Sequence, residues 1–102
     1  MEEPVELVDY ESFVVNQFRE DFELCREMVK DGIEYYQESG EDKDMSLVLL
    51  NLGRIIKARG YKDFEAIDLS VSQISNAIKS KENYDRDVIN KMFEALAIEE
   101  RI

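Results

Sequence analysis

Five small polar side chains lie close together between residues 70 and 76, and their chemistry is hydrogen bonding rather than acid–base catalysis. They are Ser70, Ser72, Gln73, Ser75 and Asn76. Asn and Gln side chains pair bidentately with adenine in the DNA major groove, and Ser bonds to several bases. The apolar residues between them keep helical spacing: Val71, Ile74, Ala77 and Ile78. The segment therefore predicts an amphipathic helix whose uncharged polar face has the chemistry to contact base edges.

Cationic side chains suited to phosphate flank this segment. They are Arg54, Lys57, Arg59, Lys79 and Lys81. Contacts to phosphate fix the orientation of a protein on a duplex, whereas contacts to base edges distinguish one sequence from another. The two sets together predict base contacts from residues 70–76 and phosphate contacts from the cations on either side.

Apolar periodicity predicts the helices that would position these side chains. A buried helix is expected from Asp44, as its N-cap, to Gly60, and a short helix from Lys62 to Asp68. The polar-faced helix then begins after Ser70, its N-cap, and continues from Val71 to Lys79. The linkage 68–70 makes these last two segments a helix-turn-helix, whose second helix lies in the major groove in DNA-binding proteins.

The two ends of the chain add further helical patterns. Residues 12–38 carry apolar positions three or four apart opposite an acidic face, which predicts one long amphipathic helix after a loose first dozen residues. Asp85 is the expected N-cap of a final helix with an inward stripe from Val88 to Leu96. Since no strand pattern is present, we expect an all-α, compact bundle of about five helices. Residues 1–43 would be an acidic helical segment, and residues 44–102 the helix-turn-helix domain of the same unit.

Charge is distributed unevenly along the chain. The 102 residues contain 13 Lys and Arg and 24 Asp and Glu, a net charge of -11 that should repel a duplex. The net charge is -11 over residues 1–44, +2 over 45–84 and -2 over 85–102. The basic segment is therefore the predicted helix-turn-helix.

Composition disfavours several other functions. The chain contains no His, the usual general base and the commonest metal ligand. Acidic pairs such as Glu20 and Asp21 are not accompanied by a base or a metal site that catalysis would require. The acidic residues within 41–44 lack the regular ligand spacing of a calcium-binding loop. The single cysteine, Cys25, falls on an apolar stripe and is interpreted as a small buried hydrophobe. We expect no enzyme, no catalytic residue, no metal site and no cofactor.

Neither a secretory signal nor a long apolar run is present, so a cytoplasmic protein without a membrane span is expected.

Three stretches resemble a known family. Residues 47–60 (LVLLNLGRIIKARG), the helix opening at Leu69-Ser70, and residues 88–98 (VINKMFEALAI) look like the antidote proteins, or antitoxins, of bacterial addiction modules. The resemblance extends from Gly32 onward and implies an Xre/Cro-type, lambda-repressor-like domain. It also implies a transcriptional repressor of its own operon that binds operator DNA as a homodimer and neutralises a toxin. In the helix after Ser70 the chain departs from the family pattern, since Val71 and Asn76 stand where more basic residues are expected.

Two interpretations therefore remain open. The first is a sequence-specific DNA-binding regulator, the antitoxin of a toxin–antitoxin operon, whose acidic N-terminal helix contacts the toxin. The second is a protein-interaction module derived from a helix-turn-helix that has no DNA binding. The acidic face is explained by a basic partner or equally by solubility.

Overall fold

A computed structural model describes the backbone of residues 3–102 and the side chains of residues 10–41 and 44–102. Its elements are α1 (Glu3–Glu20), α2 (Phe22–Ser39), α3 (Ser46–Arg59), α4 (Val71–Ala77) and α5 (Arg86–Ala95), with 3₁₀ helices at Asp42–Met45 and Lys62–Ile67. This part of the chain has no β-strand, only an isolated antiparallel bridge between Ser80 and Asn83. The prediction of an all-α bundle of about five helices is confirmed. None of the helices described is long and apolar enough to cross a membrane.

The long N-terminal helix is two helices, so the prediction of one continuous helix over residues 12–38 is wrong. The first helix, α1, begins at Glu3, inside the segment predicted to be loose, and ends at Glu20. Asp21 then leaves the helical conformation, with φ -130° and ψ 91°, and its carboxylate accepts a hydrogen bond from the Leu24 amide at 3.0 Å. Asp is a favoured N-cap, and here it begins a new helix inside an unbroken apolar pattern.

One hydrophobic core includes residues from all five α-helices and from both 3₁₀ helices. Three phenylalanines are its largest fully buried side chains, Phe18 of α1, Phe64 of the second 3₁₀ helix and Phe93 of α5. Burial of one such ring stabilises the fold by about 2–3 kcal/mol. The N-terminal helices and the predicted helix-turn-helix segment therefore share a single core.

The central helix, α3, differs from its prediction at its start and on one face. Asp44 does not cap it: α3 begins at Ser46, after a 3₁₀ turn that ends at Met45, and no side chain caps it. Gly60 ends the helix as predicted, with a φ of 73° that favours glycine. The inner face is buried, whereas Leu47 and Leu50 on the outer face are 38% and 47% exposed. The helix is thus buried on one side only.

A buried amide, Asn51, ties α3 to α2. Its side chain is 1% exposed, and its Nδ2 donates a hydrogen bond to the Met28 carbonyl oxygen at 3.3 Å. Its Oδ1 accepts from Nη1 of Arg54 at 3.3 Å. Both ends of the amide are engaged, which avoids the cost of a buried polar group without a partner.

The cysteine lies in the core, and the prediction of a buried small hydrophobe is confirmed. Cys25 has no exposed surface, and its Sγ donates to the Phe18 carbonyl oxygen at 3.3 Å. Burial raises the pKa of the thiol to about 11. At neutral pH the thiol is therefore protonated and shielded from reagents.

Glycine permits the close approach of α2 and α3. A Cβ atom at Gly32 would lie 3.1 Å from the Val48 backbone nitrogen and 3.1 Å from its Cγ2. Backbone cannot withdraw as a flexible side chain can, so a methyl group here would push the two helices apart. Gly53, in the middle of α3, has no heavy atom within 4 Å of the corresponding position.

Gly32→Ala should lower the free energy of unfolding by about 1 kcal/mol, because overpacking outweighs the gain in helix propensity. The matched control is Gly53→Ala, which gains propensity without a clash and should stabilise the fold by about 1 kcal/mol. Thermal melts would record shifts of roughly 4–8 °C in opposite directions. Equal stabilisation by both substitutions would contradict the close contact at Gly32.

Candidate nucleic-acid interface

A tight turn joins the second 3₁₀ helix to α4. The short helix predicted from Lys62 to Asp68 is present as a 3₁₀ helix over residues 62–67. Asp68 then adopts a left-handed conformation, with φ 57° and ψ 44°, and Ser70 precedes α4. On either side of the turn, Phe64 and Ile74 are 1% exposed. The short helix and α4 both pack against α5.

The N-terminus of α4 is fixed by a reciprocal pair of hydrogen bonds. Ser70 Oγ accepts from the Gln73 amide at 3.1 Å, and Gln73 Oε1 accepts from the Ser70 amide at 2.9 Å. This capping box confirms Ser70 as the N-cap. Two of the five predicted base-contacting side chains are consequently engaged in holding the helix, although both remain exposed.

The rest of the polar face is open. Ser72, Ser75 and Asn76 are exposed. Val71, one of the apolar positions at helical spacing, is 53% exposed, because it occupies the first position of α4, beyond the core. The helix is also shorter than predicted, ending at Ala77 rather than Lys79.

Carboxylates lie beside this face. An open cleft of about 550 Å³ is lined by Gln73 and Asn76 of α4 and by Asp85 and Asp87 at the start of α5. Asp85 caps α5 as predicted, accepting from the Val88 amide at 3.2 Å. The two carboxylates outnumber the Arg86 guanidinium that also lines the cleft, so its net charge is negative and opposes a phosphate on this side of α4.

Two of the five predicted phosphate contacts are paired within the chain. The Arg54 guanidinium contacts Glu11 of α1 at 2.7 and 3.1 Å and keeps 11% of its side chain exposed. Arg59 contacts Asp63 at 2.7 and 3.3 Å, and its guanidinium carbon lies 4.7 Å from the centre of the Phe22 ring. The Arg54 hydrogen bonds hold the pKa of Glu11 below its usual range, and Asp63 raises the pKa of Arg59. Each arginine therefore joins α3 to a neighbouring element.

The three lysines of the set are exposed. Lys79 and Lys81 line a shallow groove together with Glu82 and with Leu50 and Gly53 of α3. Lys57 follows Gly53 by four residues, about one turn, and so shares its face of α3. The structure thus places the three lysines around the outer face of α3 and the segment that follows α4.

Some of these contacts had a sequence signal and others had none. The capping box follows the pattern Ser-x-x-Gln at residues 70–73, so it was predictable. The pair between Glu11 and Arg54 joins residues 43 apart, and nothing local in the sequence indicates it. The same holds for Arg86, whose guanidinium carbon lies 6.0 Å from the centre of the Tyr36 ring of α2.

Comparison of the chain with protein-family models, with curated proteins and with solved structures finds no match. The region offers hydrogen-bond donors and acceptors on one face of α4 and the exposed ammonium groups of Lys79 and Lys81 directly after it, and both are suited to a nucleic acid.

Arg59→Ala should destabilise the protein by about 2 kcal/mol, because it removes a partly buried, bidentate ion pair and a contact with an aromatic face. The matched control is Arg101→Ala. Arg101 pairs with Glu94 at 2.6 Å, but both side chains are more than half exposed, so its loss should cost less than about 0.5 kcal/mol. Urea unfolding of the two variants measures both values. A similar cost for the two would show that Arg59 is an ordinary surface cation.

Proposed function

We propose that the chain is a sequence-specific DNA-binding transcriptional regulator that contacts base edges with the outer face of α4. One observation carries the proposal. The exposed side chains of α4 are small and uncharged, on a helix fixed at its start by a capping box and followed at once by exposed Lys79 and Lys81. Such a helix presents hydrogen-bonding groups in a fixed orientation, and the lysines supply attraction to phosphate.

The chemistry of each side chain determines whether it would contact bases or phosphates. Asn76 is the best candidate for a bidentate contact with adenine, and Ser72 and Ser75 are less selective. A good bidentate pair contributes roughly 1–3 kcal/mol of discrimination against the wrong base. Lys57, Lys79 and Lys81 would hold the backbone, each adding salt-dependent affinity that is independent of sequence.

The net charge of -11 opposes binding at long range. At physiological salt the Debye length is about 8 Å, so acidic groups farther than this from the phosphates are largely screened. Affinity is therefore expected to rest on the local charge around α4 and to be modest compared with that of a basic repressor.

The proposed regulator is the antitoxin and autorepressor of its operon, in line with the family resemblance. Binding to a palindromic operator requires two copies, which supports a homodimer. Acidic side chains line the exposed side of α2 at helical spacing: Glu27, Asp31, Glu34 and Glu38. Charge complementarity makes this surface suited to a basic toxin.

A protein-interaction module without DNA binding is the second candidate, and a specific observation favours it. Arg54 and Arg59 are already neutralised by Glu11 and Asp63. In addition, Asp85 and Asp87 line the cleft that Asn76 faces. A protein that does not bind phosphate would lose nothing by pairing these arginines or by placing carboxylates beside Asn76.

Fluorescence anisotropy with the DNA upstream of its own gene distinguishes the two candidates. The titration is run at two salt concentrations, with random duplex as competitor. The regulator predicts binding that resists the random competitor and weakens as salt rises. Binding no stronger than that to random duplex would leave the interaction module as the function, with a partner pull-down as the next step.

Substitutions in α4 and beside it separate base contacts from phosphate contacts. Asn76→Ala should weaken binding to the upstream DNA by roughly 1–3 kcal/mol while leaving affinity for random duplex unchanged. Lys79→Ala and Lys81→Ala should weaken binding to both duplexes and reduce the slope of log K against log salt by about 1 each. Gln73→Ala is a poorer probe, since it also removes the capping box.

The matched control for the lysines is Lys91→Ala, an equal change of charge at an exposed position of α5. It should leave the salt slope unchanged. If Lys91→Ala lowers affinity as much as the other two lysine variants, the effect is one of net charge, and the assignment of Lys79 and Lys81 is wrong.

A further inference from the structure

Glu11 of α1 occupies the side of Arg54 that would bind an oxyanion. Its Oε1 lies 2.7 Å from Nη2, and its Oε2 lies 3.1 Å from Nε. This two-point contact is the geometry in which a guanidinium binds phosphate as well as carboxylate. The Arg54 side chain is 11% exposed and that of Glu11 is 40% exposed, so the carboxylate forms the outer member of the pair.

Arg54 lies on α3 next to residues that line the groove of Lys79, Lys81 and Glu82. It follows Gly53 directly and lies one turn beyond Leu50. Lys57 also lowers the pKa of Glu11, which places its ammonium within electrostatic reach of the carboxylate. The Glu11 carboxylate would therefore repel a phosphate held by Lys57.

We infer that Glu11 withholds Arg54 from nucleic-acid phosphate, so that α1 lowers the affinity of the protein for DNA. This inference rests on the proposed DNA binding. Removal of the carboxylate has two effects: a repulsive charge disappears, and a guanidinium already placed beside the lysines becomes able to contact a phosphate. The α1 helix then has a second role besides its contribution to the core: it determines how many cationic side chains of the proposed surface are able to contact DNA.

The test compares Glu11→Ala with Glu23→Ala in anisotropy titrations against the upstream duplex over a range of salt. Glu23 is the matched control, because it also pairs with an arginine, Arg26, at 2.7 Å and its loss changes the net charge equally. Glu11→Ala should steepen the slope of log K against log salt by about 0.9, one phosphate contact, and raise affinity about eightfold at 0.1 M salt. Glu23→Ala should leave the slope unchanged.

Two further variants keep the test decisive. Glu11→Gln removes the charge while retaining a hydrogen-bond acceptor for Arg54, and it replaces the alanine variant if that variant folds poorly. It should raise the affinity for DNA by a smaller factor than Glu11→Ala. The double variant Glu11→Ala with Arg54→Ala should return the slope to the wild-type value. A steeper slope that persists without Arg54 would overturn the inference, because the new phosphate contact would then not be made by Arg54.

The failures of the two proposals are distinguishable. If the wild-type protein binds the upstream duplex and Glu11→Ala has the same slope as Glu23→Ala, the inference about Glu11 is overturned while DNA binding stands. If neither the wild-type protein nor any Glu11 variant binds the duplex above random DNA, both proposals are overturned.

Discussion

The close packing of α3 against α1 and α2 is the constraint on which the rest of the structure depends. On one side Gly32 allows the Val48 backbone to approach α2, and Asn51 bonds across to the same helix. On the other side Arg54 is held by Glu11 of α1. These contacts leave only the outer face of α3 exposed. The helices α4 and α5 contribute to the same core. Because α4 packs against α5, the position of its polar face depends on α5.

Carboxylates neutralise two arginines of the basic segment: Glu11 of the acidic N-terminal part pairs with Arg54, and Asp63 of the segment itself pairs with Arg59. Arg54 and Arg59 serve the fold, whereas Lys57, Lys79 and Lys81 remain at the surface. Arginine suits the first role because its planar group makes two hydrogen bonds to one carboxylate, and lysine suits the second as a mobile, well-hydrated charge. The division explains how a chain with a net charge of -11 retains a local surface suited to phosphate.

Local signals in the sequence predicted much of the fold, and contacts between distant residues limited the prediction of the site. Four local predictions were correct: the N-caps Ser70 and Asp85, the helix end at Gly60 and the burial of Cys25. Each of these features depends on the residue's own side chain and its nearest neighbours. Asp21 was missed because the apolar stripe continues through it. The ion pairs of Arg54 and Arg59 depend on how helices pack, so all five cations had looked equivalent in the sequence. Whether the polar face of α4 contacts DNA stays a prediction.

If α4 presents the proposed DNA-contacting surface, titration of the ¹⁵N-labelled protein with the upstream duplex should shift the amide resonances of that helix. We expect the largest shifts at residues 70–81, with little change on the acidic exposed side of α2. Shifts concentrated on α2, or none at all at concentrations where the duplex is in excess, would contradict this proposal.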